Sequence, residues 1–363
     1  MAYTTIDKPS DYFETALWTG NGSTTNITSL DFQPDFTWIK GRSDAIAHVV
    51  FDSVRSAGGN KELTPNETYA EGGNSTISYG FLSSFNSDGF TVRNGTSSPN
   101  QADYTNKNSS TYASWNWKAG TSFTNDASAT GIGTIDSTGS VNTTSGFSII
   151  SYTGNGSANQ SVAHGLGATP KIILIKNRTT AGYWCMTNPR FVSVSDPNIL
   201  YLQTTAAEAD DTNINGTTAP SSTVFGVDDY GAVNTSGNAH IAYCFSEVKG
   251  YSRFNKFIGN GSSDGTFVYT GFRASFVMCK RSSGTGNWQM FDSKREGYNV
   301  DNDGLQANLS NAEATDDDLD ILSNGFKLRG SGNDLNGSGS TYIYMAFAEN
   351  PFVTSTGVPA TAR

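Results

Sequence analysis

An all-β protein built from three tandem, related, antiparallel β-sandwich domains of jelly-roll or lectin-like type is the fold class this sequence predicts. Three observations predict it. Short aromatic-rich segments alternate with Gly/Asn/Ser clusters along the 363 residues, as strands alternate with turns. No stretch sustains a helical apolar period; the acidic stretch from Asn311 to Leu322 is expected to hold one helical turn at most. One phrase also occurs three times: Thr19-Gly20-Asn21-Gly22-Ser23, Thr153-Gly154-Asn155-Gly156-Ser157 and Ile258-Gly259-Asn260-Gly261-Ser262. Each copy follows a large ring, Trp18, Tyr152 or Phe257. Gly and Asn tolerate positive φ, so the phrase reads as a strand entering a tight turn. Its recurrence marks an internal repeat.

The first unit spans residues 1–120. After its turn come Phe36-Thr37-Trp38-Ile39-Lys40 with Arg42, then the block Phe51-Asp52-Ser53-Val54-Arg55. A strand-turn-strand follows from Leu82 to Val92, and Thr111 to Trp117 closes the unit. Tyr112, Ser114 and Asn116 alternate there with Ala113, Trp115 and Trp117, the period of a half-buried strand. Residues 121–146 are mostly Gly, Ser, Thr, Asn and Ala, and read as a linker or exposed arm. The second unit, 147–250, repeats the order with Ile172 to Lys176 and Arg178, Tyr183 to Arg190, and the closing segment His240 to Phe245. The third, 251–363, does so with Phe276 to Arg281, Phe291-Asp292-Ser293-Lys294-Arg295, Ile321 to Leu328 and Thr341 to Phe347, and ends in a C-terminal tail. Units of about 100 residues are domain-sized, so each is expected to close its own core.

Composition narrows the function. Net charge is −10 with no basic run, which argues against a nucleic-acid surface. No run of apolar residues is long enough to cross a membrane, and the first residues lack the apolar core of a signal peptide. Asn-x-Ser/Thr triplets then reflect composition. Cys185, Cys244 and Cys279 form no CxxC pair and lie in apolar runs, so they read as small buried hydrophobes.

The polar motifs favour scaffolding. Asp52 precedes Arg55 by three residues and Asp292 precedes Arg295 by three, a spacing suited to a structural ion pair at a strand end. The second unit has Asn188-Pro189-Arg190 there, without the Asp. Lys40, Arg42, Lys176, Arg178, Lys280 and Arg281 end equivalent strands and read as cations snorkelling at sheet edges, the alternative being an anion groove. Asp301-Asn302-Asp303-Gly304 resembles the start of a calcium loop, but Ala312 holds the twelfth position, so a solvated turn is expected. Asp301 and Asp303 are the metal candidates, and calcium the one cofactor considered. His48, His164 and His240 share no repeat position and sit in no nucleophile or metal motif. Tyr183, Trp184 and Trp288 are candidate sugar-stacking aromatics, with burial in the core as the alternative.

The opening Met1 to Ser10 with Leu17-Trp18-Thr19-Gly20, the segment Phe36 to Lys40, the Phe51 to Arg55 block, Tyr342 to Glu349 and the tail Gly357 to Arg363 together resemble a family of uncharacterised proteins of tailed, mostly marine, bacteriophages. The resemblance spans essentially the whole chain and carries no catalytic residue with it. It implies a complete, modular virion protein, assembled in the host cytoplasm and displayed on the particle exterior. Its expected role is as a tail-fibre, spike or head-decoration subunit that attaches to the host surface. The expected partners are further copies of the chain (a trimer is favoured), other virion proteins and a host surface glycan. A carbohydrate-binding module is the alternative. A glycan depolymerase would need paired carboxylates on a groove, and the sequence shows no such constellation beside its aromatics.

Overall fold

A computed structural model of the chain describes residues 3–97, 101–295 and 301–360. Strand pairing follows the repeated landmarks. In the first unit an N-strand (Phe13–Thr19), a closing strand (Thr111–Trp117), a lysine strand (Phe36–Gly41) and a signature strand (Val49–Asp52) lie side by side in that order. The second unit repeats the order with Phe147–Thr153, Ala239–Phe245, Ile172–Asn177 and Trp184–Thr187. The third uses Ser252–Ile258, Thr341–Pro351, Phe272–Arg281 and Trp288–Asp292. All these pairings are antiparallel, and the register recurs: Lys40 lies opposite Ala113, Lys176 opposite Ile241, and Lys280 opposite Ile343.

Each large sheet also has a smaller companion. These are Thr25–Ile27 with Gly89–Arg93 and Phe81–Asn86, then Gln160–Ala163 with Val224–Val227, then Phe267–Tyr269 with Gly325–Leu328 and Ala314–Leu322. In the third unit Asp301–Gln306 joins the two layers into one eight-stranded sheet that curls back on itself.

The pleat sends alternate side chains to opposite faces. Ile39, Val49, Phe51 and Tyr112 pack on Ile27, Phe90 and Val92 of their own small sheet. Ile173, Ile175 and Cys244 do the same with Val162 and Phe225. In the third unit Val277, Cys279 and Tyr344 meet Phe326 and Leu328. The other faces of all three large sheets share a single core. Phe36, Trp115 and Trp117 meet there with Leu174, Tyr243 and Phe245, and with Phe276, Met345 and Phe347. A void of about 20 Å³ lined by such residues lies within it. Its apolar walls offer no partners to hold a water.

Three expectations need correction, though each unit does close a core between its own two sheets. The second face of every large sheet is also buried against its neighbours. For the same reason the closing strand is not half-buried: Ser114 and Asn116 are fully enclosed, and Asn116 Nδ2 donates to Ser114 Oγ at 2.9 Å and Glu14 O at 3.0 Å. Residues 121–146 are not a linker. Thr121–Asn125 and Ser137–Asn142 pair with each other, and the second pairs with the N-strand of the second unit. The outer strand is largely exposed, which accounts for its polar composition. The stretch after Asn311 forms the strand Ala314–Leu322 where a helical turn was expected.

Candidate functional site

The Gly-Asn-Gly-Ser phrase proves to be half of a clasp. A buried Asn from before the closing strand completes it: Asn106, Asn234 or Asn336, each shielded from solvent. In the second unit Asn155 N donates to Asn234 Oδ1 at 2.9 Å, and Asn234 Nδ2 donates to Asn155 Oδ1 at 3.2 Å and Ser157 O at 2.8 Å. Asn260 and Asn336 repeat these bonds at 2.9, 2.9 and 2.8 Å. Asn21 and Asn106 form the same reciprocal pair at 3.3 and 2.9 Å. The first Gly of the phrase is required by close approach: a Cβ on Gly154 would sit 2.3 Å from Thr235 O. The next Gly adopts φ near +70° in all three copies. Beside each clasp two rings stack: Trp18 on Tyr112, Tyr152 on His240, and Phe257 on Tyr342, with centroids 5.4, 5.1 and 5.0 Å apart.

The Asp-Ser-x-Arg blocks form buried ion pairs. Arg55 Nε donates to Asp52 Oδ2 at 2.5 Å, and Arg295 Nε to Asp292 Oδ2 at 2.6 Å. Each carboxylate also accepts from a ring in another unit. Tyr243 hydroxyl donates to Asp52 Oδ2 at 2.6 Å, and Trp115 Nε1 to Asp292 Oδ2 at 3.0 Å. Burial alone would lower the pKa of Arg55 and Arg295; the adjacent Asp52 and Asp292 more than offset it and hold both guanidinium groups charged. By register, Tyr243 and Trp115 correspond to Met345, which has no proton to donate. The unit lacking the Asp is therefore the one whose neighbour lacks the donor.

The strand-end cations are not at sheet edges. The lysine strand is flanked on both sides, so Lys40, Lys176 and Lys280 are fully buried and must find acceptors inside. Each finds one in its own unit, at Gly41 O, Gly182 O or Arg281 O, and another in a neighbouring unit. Lys176 Nζ donates to Thr68 O at 3.0 Å, Lys40 Nζ to Ser310 O at 3.2 Å, and Lys280 Nζ to Thr205 O at 3.3 Å. Burial pushes all three ammonium groups down to about 8.

A glutamate stands at each of these junctions. Glu71 lies between Arg178, whose Nε donates to it at 2.6 Å, and Arg55 at 3.5 Å. Glu313 lies between Arg42 at 2.7 Å and Arg295 at 2.8 Å. Glu208 takes Arg190, with Ser282 at the position of the second arginine. The main-chain N–H of each glutamate donates across the same junction, to Arg178 O, Arg42 O and Ser282 O. Burial would raise Glu71 and Glu313; the flanking arginines outweigh it and hold both below the usual carboxylate range. First to third, second to first and third to second, the units close into a ring.

Trp184 and Trp288 are 1% exposed and belong to the central core, so neither meets a ligand. They lie opposite Lys176 and Lys280, on the inward face. Tyr183 is 43% exposed, its ring 5.0 Å from that of Tyr201. Asp303 is buried and accepts from Arg42 Nη2 at 3.2 Å, so its charge is already matched. Asp301 opens the strand Asp301–Gln306 with its Cα opposite Leu319, and its side chain lies outside the described residues. Among the described residues no three His, Cys, Asp or Glu side chains gather as a metal site.

His48 Nδ1 accepts from Trp38 Nε1 at 2.8 Å, leaving Nε2–H to donate to Gln306 O at 3.0 Å. All three Cys are buried and free, and burial pushes their thiols up, away from the reactive thiolate.

Several clefts open on the surface. One cleft of about 350 Å³ contains Asp126 and Asp136, but both carboxylates accept main-chain amides, from Ala129 at 3.0 Å and Ala127 at 2.8 Å. Another, of about 270 Å³, is lined by Tyr3, Tyr269, Lys249, Arg253 and Glu247. Reasoning from sequence missed this group, which comes from three separate segments and belongs to no repeated landmark.

The profile of one family, described as a domain of unknown function (DUF7483), matches residues 8–351. No curated protein and no solved structure matches the chain.

Proposed function

We propose that this chain, which belongs to the DUF7483 family, is an exterior structural subunit of a tailed-bacteriophage virion, part of a tail fibre, spike or head decoration that adheres to the host surface. The single observation carrying this reading is how the repeated polar residues are used. The buried Asn clasps close each unit on itself, while the Asp–Arg pairs, which accept from rings of a neighbouring unit, and the Lys/Arg/Glu junctions hold the three units in one ring. Such a body suits load-bearing and display. The phage-like segments at both ends of the chain point to the particle. Assembly into homo-oligomers would multiply weak contacts into firm attachment.

Immunogold labelling and peptide mass spectrometry of purified particles test the reading. The protein should appear on the particle exterior in fixed stoichiometry, and its absence from particles would end the proposal.

A second reading, a glycan-binding module, is favoured by the cleft where the half-buried Tyr3 ring, the exposed Tyr269 ring and two cations meet. A glycan array probed with multivalent protein should then give selective signals. The depolymerase reading has less support, since Asp126 and Asp136 are engaged in holding their own hairpin. Release of reducing ends from host polysaccharide would revive it.

A further inference from the structure

The third unit departs from its siblings on one surface, and the departure is aromatic and cationic. Phe267 and Tyr269 are 46% and 53% exposed on either side of buried Val268. Val268 lies opposite Phe326, as Ile27 lies opposite Phe90 and Val162 opposite Phe225. That register puts Asn26 and Ser161 where the third unit has Phe267, and Thr28 and Ala163 where it has Tyr269. The shared scaffold is built without rings at these positions in two units, so their presence in the third calls for another cause. An exposed aromatic costs solubility and contributes nothing to the core.

Tyr269 borders the 270 Å³ cleft, where other groups are already positioned. Tyr3 hydroxyl donates to Gly271 O at 2.6 Å and lies 3.3 Å from the Tyr269 hydroxyl. The exposed Lys249 holds its ammonium 4.7 Å from the centre of the Tyr3 ring. Arg253 Nε stands 3.5 Å from Glu247 Oε1, which also accepts from Phe254 N at 2.9 Å. This ion pair is loose and makes no hydrogen bond at Arg253 Nε, and the arginine side chain is 43% exposed. In a chain with 33 acidic and 23 basic residues, Lys249 and Arg253 outweigh Glu247 beside an exposed ring and leave a locally positive site for an anion.

We propose that this cleft binds one carboxylate-bearing sugar ring, a uronic-acid unit of an acidic polysaccharide. The apolar face of the sugar lies on Tyr269, and its carboxylate meets Lys249 and Arg253. Aromatic faces suit the C–H face of a pyranose, and an Arg fork with a Lys ammonium suits a carboxylate. The volume is near the lower end of the roughly 300–1,000 Å³ of small-ligand sites, which fits a single ring. The inference deepens the adhesive part of the proposed function and rests on it for its biological setting.

Calorimetric titration of the full chain with short oligogalacturonate, beside a neutral oligosaccharide of equal length, tests it. Saturable binding is expected for the uronate and at least about tenfold weaker binding for the neutral sugar, the span of one lost charge-assisted contact. Tyr269→Ala and Lys249→Ala should each weaken uronate binding about tenfold, with thermal melting unchanged because both side chains are exposed. No saturable binding, equal binding of the neutral sugar, or binding untouched by both variants would overturn the assignment. A protein found on particles that binds no uronate defeats this site alone. Uronate binding by a protein absent from particles defeats the virion reading alone.

Discussion

At the scale of residues, the strongest determinants are polar groups with no access to water. Asn234 satisfies both sides of its clasp, so Asn234→Ala leaves Asn155 N–H without its acceptor. A loss of about 1–3 kcal/mol is expected in urea unfolding, and a loss under 0.5 kcal/mol would count against the clasp. Asp52→Asn strips the charge facing buried Arg55 and should cost about 3–5 kcal/mol. Asp44→Asn, near the surface, should cost far less by the same measurement.

His240 gives a pH test. Burial, the largest cause, lowers it from 6.5 to about 4. The unfolded chain therefore takes up the proton first. The contribution is constant above pH 6.5 and is lost as pH falls toward 4, about 3 kcal/mol in all. Tyr112 and Tyr342 stack at the same register position, so His240→Phe keeps a ring there. Between pH 7 and 4 this variant should lose about 3 kcal/mol less stability than the parent; identical pH profiles would refute the assignment. The clasp was half legible in sequence. Asn106, Asn234 and Asn336 each stand six residues before Tyr112, His240 and Tyr342. Sequence shows that spacing, while the reciprocal bond across some eighty residues appears only on folding.

At the scale of elements, what the sequence made plain was the succession of repeated strand segments along the chain, and what it hid was burial. Alternation of Tyr112, Ser114 and Asn116 with larger apolar groups reads as one wet face, because nothing local reports the sheet that covers it. The continuous apolar runs Ile172 to Ile175 and Phe276 to Cys279 were the better signal, since a strand covered on both faces needs no polar alternation. The hairpin from Thr121 to Asn142 looked like a linker because edge strands are polar. The repeated Gly allows an element-level test. Gly154→Ala places a methyl against Thr235 O and should destabilise by about 1–3 kcal/mol or more. Gly182→Ala, whose new methyl would meet Ala232 at an ordinary contact distance of 3.9 Å with no positive φ, should stay within about 0.5 kcal/mol in the same melts.

At the scale of the whole molecule, the repeats behave as three subunits of one covalent ring. Their junctions carry lysines, arginines and glutamates that exposed surfaces would leave in water, and their inward faces carry Trp38, Trp115 and Phe276 into a common centre. Sequence could order the units but not join them, because the junction lysines reach acceptors 75 to 270 positions away. Differential scanning calorimetry of the full chain tests the joining most directly. A single transition is predicted, on the order of 250 kcal/mol near 60 °C for a chain of this length, with van't Hoff and calorimetric enthalpies equal. Separate transitions, or a calorimetric enthalpy near three times the van't Hoff value, would mean that the three units melt independently and would contradict the account.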